Sequence, residues 1–463
     1  MKLHHLTITQ LRAMLSKKQV SKREVFDYFN NRIHALNPSL NAVLTETKFI
    51  ETESDSTSPL WGIPFSMKDT YMTKGIRTTA GSNVLKDYIP QYDSTVYKRL
   101  KEQGALLVGK TNCDAWGHGS STENSDFGPV KNPWNSAYVA GGSSGGSAAS
   151  VISGMSMFDI GEDTGGSIRL PSSFCSTVGL KVTYGLTSRY GCIAYASSLD
   201  TVGPIGKSVE DIAIVLEAIA GNDPLDSTTI RHAVPKYTSA LHEKKSGLTI
   251  GLPKEYFKNS LSQSVSKRIT EAISVLKKLG ADFREVSLPL TDYAIATYYI
   301  LATSETSSNL ARYDGVRYGS ERSSFGEEAK RRMVLGAFTL SSGYYDAYYL
   351  KATKIRSRIQ QEFGTVFKTV DLLLAPTSPT PAFKLGEKIN DPLQMYLSDI
   401  FTIPTNIAGI PALSVPCEFS EDTNLPIGFQ LLGPRFSEDL ILQTAYRYEQ
   451  AVGGFRKFNE KTE

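Results

Sequence analysis

The chain has 463 residues, 40% of them hydrophobic, and its 50 Lys+Arg against 47 Asp+Glu leave a net charge of +3. That near balance argues against this chain being the main grip on nucleic acid, which normally shows as a concentrated basic face, so any RNA involvement is expected to run through a partner. No apolar run reaches the roughly 18 residues a membrane span needs. The four cysteines, Cys113, Cys175, Cys192 and Cys417, lack CxxC spacing and a secretory signal and read as free thiols in a reducing compartment. Six histidines without ligand spacing make no zinc pattern.

The leading segment is basic, with Glu24 its first acidic residue, which resembles a mitochondrial presequence. Yet Thr7-x-x-Gln10 and Ser21-x-x-Glu24 both fit the capping box, which satisfies the free N–H groups of a first helical turn. Behind the second, Val25, Phe26, Phe29 and Ile33 form one apolar stripe, so helices over about residues 6–35 belong to the fold. Residues 105–108 form a short apolar run after Gly104 that suits a buried strand. Ser208-x-x-Asp211 starts a helix with Ile212, Val215, Leu216 and Ile219 on its apolar face, stopped at Gly221. Residues 222–247 are polar, broken by Pro224 and Pro235, and read as a surface excursion. A β-α-β pattern follows: 248–252, a helix carrying Ile269, Ile273, Leu276 and Leu279, then 282–288. Residues 370–375 make a further strand before a proline-rich loop, and 412–416 and 427–432 a late pair before a closing helix. This alternation places the chain in the α/β class. Length alone suggests about three domains, and no internal repeat is present.

Three blocks carry chemistry: 63–70 (IPFSMKDT), 141–150 (GGSSGGSAAS) and 163–171 (DTGGSIRLP). Glycine runs let backbone N–H groups approach a ligand closely, and serines offer nucleophiles. A Gly/Ser cluster is commonly a flexible loop; this one flows into Ala148, Ala149, Val151 and Ile152, an apolar helix entering a core. Ser143 and Ser144 both satisfy G-x-S-x-G. An α/β-hydrolase would need a later Asp and His, and only His232 and His242 follow, in a polar stretch. Lys68, taken alone, reads as a surface lysine.

Taken together, the three blocks resemble the amidase signature family over roughly residues 6–451. That resemblance implies one domain over 1–463, built on a central mixed β-sheet covered by helices on both faces. It also implies a catalytic triad of Lys68, a cis-peptide Ser143 and a nucleophilic Ser167. A serine hydroxyl is unreactive near neutral pH without a base, and no histidine is placed to serve. Lysine can serve only if neutral, and burial beside Ile63, Phe65 and Met67 is the kind of desolvation that favours the neutral form. Thr164, Gly165, Gly166 and Ser167 should offer consecutive N–H groups to the tetrahedral oxyanion.

The segments 297–319, 331–349, 395–415 and 428–435 resemble the A-subunit branch of the family, from the glutamyl-tRNA(Gln) amidotransferases. That resemblance implies glutamine as substrate, with Arg332 on its α-carboxylate, Asp399 on its α-ammonium and Tyr298 lining the pocket. A guanidinium and a carboxylate are the natural partners of a free amino acid. From the residues alone, Arg332 also reads as a solvated helix residue beside Lys330 and Arg331, and Asp399 as a helix N-terminal residue. Tyr344, Tyr345, Tyr348 and Tyr349 read as packing or interface surface. The resemblance further implies a partner B subunit that handles ATP, Mg and tRNA, a small third subunit, no cofactor on this chain, and no membrane. No nucleotide motif is present in the sequence. Short 41–60 and 319–326 segments point to a mitochondrial matrix form, with the bacterial cytoplasm as the alternative. The competing functions are a stand-alone amidase acting on a small amide and a catalytically idle scaffold subunit.

Overall fold

Buried apolar and glycine-rich runs between the helices become strands. The computed structural model describes residues 2–51, 54, 56–243, 247–257, 261–389 and 391–455. In chain order the strands are β1 (Val43–Glu46), β2 (Pro64–Lys68), β3 (Leu106–Thr111), β4 (Lys131–Asn132), β5 (Asn135–Val139), β6 (Phe158–Asp163) and β7 (Val178–Lys181). Then come β8 (Thr201–Gly206), β9 (Thr249–Pro253), β10 (Asp282–Val286), β11 (Leu372–Pro376), β12 (Ala412–Phe419) and β13 (Pro426–Leu432). Among the described residues, eleven of these form one sheet in the order β1-β3-β2-β6-β8-β7-β12-β13-β11-β9-β10, and β4 pairs with β5 apart from it.

The sheet is mixed, as expected. β2 runs parallel to β3 and β6, and β9 runs parallel to β10 and β11. The central run from β6 through β8, β7, β12 and β13 to β11 is antiparallel. Helices cover the sheet, so β2, β3, β6, β7 and β8 are buried along their whole lengths. A strand covered on both faces need not alternate polar and apolar residues. That is why β6 to β8, with their glycines and acids, escape a reading by periodicity.

Both amino-terminal capping boxes form, on helices Ile8–Ser16 and Lys22–Leu40. Ile8, Leu11, Leu15, Val25, Phe26, Phe29 and Ile33 are buried in the main core, whose sheet side includes the stacked Phe65 and Phe158 rings of β2 and β6. Ser208 caps helix Val209–Ile219, accepting from Asp211 N–H. The β-α-β unit forms with helix Gln263–Lys278 between parallel β9 and β10. The 222–247 excursion, of which 244–246 lie outside the described residues, departs from expectation. It contains a short helix, Tyr237–Ala240, and plants Tyr237 and Leu241 in the main core. Polar composition hid those two anchors.

β2 ends at Lys68 and β6 ends at Asp163. In open α/β sheets, ligands bind in the crevice outside the carboxyl ends of such strands. From β6 the chain turns through residues 164–168 into helix Arg169–Cys175, while the 141–144 segment feeds helix Gly145–Ile152. Every residue of both helices is buried. The Gly/Ser blocks therefore sit inside the protein.

Candidate active site

Lys68 is fully buried, and its Nζ donates to Ser143 Oγ at 2.7 Å. Nζ also lies 3.5 Å from the carbonyl oxygen of Glu162 and 3.8 Å from its carboxylate. The surroundings thus combine the expected apolar strand with an acid that the three blocks do not include. The Gly142–Ser143 peptide bond is cis. Ser144 N–H donates to the Ser167 carbonyl at 3.2 Å, tying the two serine segments together. Among the described residues, no hydrogen bond joins Ser143 Oγ to Ser167 Oγ; the contact that forms is the backbone one.

The N–H groups of Gly165, Gly166 and Ser167 are taken up by no acceptor among the described residues, which leaves three donors beside the Ser167 hydroxyl. The two glycines are needed where they stand. Gly166 has φ +144°, and a Cβ there would sit 2.2 Å from Thr402 Oγ1 and 3.1 Å from Asp399 Oδ1. A Cβ on Gly165 would meet the Tyr298 ring at 2.7 Å. Glycine alone leaves the backbone this close to its neighbours.

The same contacts bring Tyr298 and Asp399 against the Thr164–Ser167 turn, although both are remote in sequence. Tyr298 lies on helix Ala294–Leu310, and its hydroxyl reaches the Tyr195 hydroxyl at 3.4 Å. Arg332, on helix Glu327–Leu340, bonds that same Tyr195 hydroxyl. Arg332 is 3% exposed, so its reading as a solvated helix residue is excluded. Its guanidinium lies 5.4–5.9 Å from the ring centres of Tyr299, Tyr195 and Tyr396, a cation–π cage. Glu328 accepts from Arg332 Nε at 2.6 Å and also pairs with Arg331. Asp399 is buried; Ser120 donates to one of its carboxylate oxygens, and the other has no hydrogen-bond partner among the described residues. Burial pushes its pKa up to about 7.

An internal clamp holds the turn. Asp163 accepts from Arg169 Nε at 3.0 Å and Nη2 at 3.1 Å. Although burial opposes it, this arginine holds the Asp163 carboxyl below its ordinary range. Arg169 also reaches Thr402, Thr405, Asn406 and Gln430, fixing the Thr164–Ser167 turn to the segment that carries Asp399.

Sequence reasoning missed Glu162, Tyr195, Ser120, Thr402 and Glu328. The i, i+4 spacing of Glu328 to Arg332 could have revealed that pair, and Glu162 directly precedes the DTGGS block. Nothing local marks Tyr195 or Ser120. Tyr344, Tyr345 and Tyr348 are exposed, in a turn and a π-helical segment (Asp346–Leu350) beyond the cage. Among the described residues, no group of acidic, His and Cys side chains has metal-ligand geometry, and no helix is long and apolar enough to cross a membrane.

Buried lysine, cis-peptide serine and glycine-serine turn on one mixed sheet define a class, and comparison agrees: residues 24–442 match the Amidase family, to which this chain belongs. Within it, the chain is similar to two curated proteins, each named as the A subunit of glutamyl-tRNA(Gln) amidotransferase. The one from Trichlorobacter lovleyi is 52% identical, with 98% of each chain covered. The one from Halothermothrix orenii is also 52% identical over 98% of each. The crystal structure of the protein of that name from Thermotoga maritima superposes with a TM-score of 0.85 at 43% identity, covering 96% of this chain and 95% of that one.

Proposed function

We propose that this chain is the glutaminase component of a glutamyl-tRNA(Gln) amidotransferase. The observation that carries the reading is that Asp399 lies against Gly166 of the turn that bears Ser167, while Arg332 is joined to the same turn through the Tyr195 and Tyr298 hydroxyls. A lysine–serine pair stands behind that turn, and the near-full-length similarity to proteins of that name adds to it.

In this mechanism neutral Lys68 takes a proton from Ser143, which takes one from Ser167. Ser167 Oγ attacks the carboxamide carbon of glutamine, and the developing oxyanion meets N–H groups of the turn Thr164, Gly165, Gly166 and Ser167. Several such donors aimed at one oxygen are commonly the largest single catalytic term. The tetrahedral species collapses as the proton returns through Ser143 to the leaving nitrogen. Ammonia departs, and water then releases glutamate from the acyl-Ser167. The relay requires the Ser167 hydroxyl to turn toward Ser143, since the two are not hydrogen-bonded in this structure.

The ammonia is used on a partner B subunit that converts Glu-tRNA(Gln) to Gln-tRNA(Gln) with ATP and Mg, with a small third subunit completing the assembly. This chain needs no cofactor of its own, and tRNA is held mainly by the partner, in keeping with a net charge of +3. The named relatives are bacterial, which favours a bacterial cytoplasm over the mitochondrial matrix.

Hydroxylamine trapping with glutamine, on the chain with and without its partner subunits, tests this reading. Glutamyl hydroxamate formed by the complex is the expected result. Vigorous activity of the lone chain on unrelated amides would favour a stand-alone amidase, and no turnover in either setting a scaffold.

The pH dependence of substrate capture follows from Asp399. Its carboxylate is charged above about pH 7 and loses that charge as the pH falls. Attraction for the α-ammonium is lost in the same direction. The KM for glutamine is therefore expected to rise as pH drops through 7 in the wild type. In Asp399→Asn it should be raised about 10²-fold and nearly flat with pH, the scale of one lost charge-assisted bond. Steady-state KM measured on both sides of neutrality checks this, and a pH-independent wild-type KM would exclude that role.

A further inference from the structure

Resting on the functional reading above, we propose that Glu162 completes the relay as a positioning residue: its carboxylate stabilises the ammonium that Lys68 becomes when it accepts the serine proton.

The argument is geometric. Glu162 and Lys68 stand at the ends of neighbouring parallel strands, with 3.8 Å between Oε2 and Nζ, and neither side chain is more than 2% exposed. Among the described residues neither Glu162 carboxylate oxygen has a partner at full hydrogen-bond geometry, and the Thr70 hydroxyl and Cys192 thiol are only weak neighbours beside them. The other acids close by are engaged elsewhere. Asp163 is held by Arg169, Asp114 accepts from the N–H groups of Thr122 and Asn124, and Asp69 pairs with Lys110 at 3.2 Å. Glu162 also anchors the relay through its backbone, since its carbonyl oxygen accepts from Ser144 Oγ at 3.2 Å and faces Lys68 Nζ at 3.5 Å.

A buried carboxylate with uncommitted oxygens is costly; one placed beside a base that gains positive charge recovers its interaction in the transition state. The carboxylate of a Ser-His-Asp triad acts this way on its imidazolium, without itself taking a proton. Proton accounting is simple here. One proton moves from Ser167 to Ser143 and one from Ser143 to Lys68, both return on collapse, and Glu162 stays anionic throughout.

Groups facing the pair include Asp200, Cys192 and Tyr71 around Glu162, and Asp114, Cys113 and Asp159 around Lys68. Burial first, and then Asp200, raise the Glu162 pKa to about 7, so the counter-charge is lost as the pH falls below neutrality.

The test is Glu162→Gln in the full chain assembled with its partner subunits, with Glu162→Asp beside it. Gln keeps the shape and removes the charge. The expected result is a fall in kcat of about 10- to 10³-fold, matching the 1–3 pK units an opposite charge at this distance is worth, with little change in KM. The acid limb of kcat, read at saturating glutamine, should also move to lower pH, because the carboxyl whose protonation removes the counter-charge below neutrality is gone. Glu162→Asp should recover much of kcat. Unchanged kcat with an unmoved acid limb, or a change in KM alone, would overturn the proposal. The limb position does not depend on how much enzyme is folded, so partial destabilisation does not blur the reading. If the wild type turns over some other amide and not glutamine, the functional reading falls, and the same pH profile on that amide still decides the role of Glu162.

Discussion

Replacing Ser167 by Ala should lower glutamine turnover by about 10⁴-fold or more, the scale seen when the nucleophile of a relay is removed. The structure gives the reason this side chain differs from the serines around it. Ser144 Oγ donates to the Glu162 carbonyl, and Ser143 Oγ accepts from Lys68. Ser167 Oγ is engaged by no partner among the described residues and sits 7% exposed, beside the three open N–H groups. Removing a hydroxyl with no structural bond should cost little stability. The thermal midpoint is therefore expected to stay within about 2 °C of the wild type, in line with substitutions that break no buried contact. Measuring turnover together with that midpoint checks the assignment. Substantial activity in a folded Ser167→Ala protein would remove Ser167 from the mechanism.

A second large effect concerns stability. Arg169→Leu is expected to cost about 3–5 kcal/mol, because breaking one side of a buried ion pair strands the other charge. Arg169 is fully buried and makes two bonds to Asp163, at 3.0 and 3.1 Å. It also donates to Thr405 Oγ1 at 2.7 Å, Gln430 Oε1 at 2.9 Å, Asn406 Oδ1 at 2.6 Å and the Thr402 carbonyl at 3.0 Å. Without it, Asp163 keeps Asn406 Nδ2 and two nearby backbone N–H groups as partners. Chemical denaturation should therefore show a clear drop in midpoint, and residual activity should fall with it, since the clamp joins the Ser167 turn to Asp399. A loss below about 1 kcal/mol would mean the network rearranges around the gap, and that the turn does not depend on it.

The amino-acid sequence made some parts of this protein readable and concealed others. Capping boxes at Thr7 and Ser21, the stripe through Phe29 and Ile33, the helix after Ser208 and the β-α-β unit past residue 248 all have local causes. A side chain meets a nearby backbone N–H, or apolar groups recur with the helical period, and neither needs the rest of the chain. The central strands β6, β7 and β8 carry no such signal, because sheet and helices bury both their faces. The excursion at 222–247 misled for the converse reason: its two core anchors, Tyr237 and Leu241, are outnumbered by polar neighbours.

The candidate site divides the same way. The Gly/Ser character of the site shows in the compact motifs at 141–150 and 163–171, and the roles of Lys68, Ser143 and Ser167 came from the resemblance those motifs carry. Arg332 and Asp399 came from resemblance; taken alone, Arg332 looked like one more charge on a solvated helix. Alternating strand-like and helix-like segments, cap residues and the three short blocks determined the α/β class, the amino-terminal helices and the chemical type of the site. Only the tertiary structure decided that Arg332 reaches the Ser167 turn through Tyr195 and Tyr298, and that Glu162 faces Lys68. Such juxtapositions depend on which strands lie side by side and which helices cross above them. They are long-range consequences of burying apolar surface, and the residues they unite share no neighbourhood along the chain.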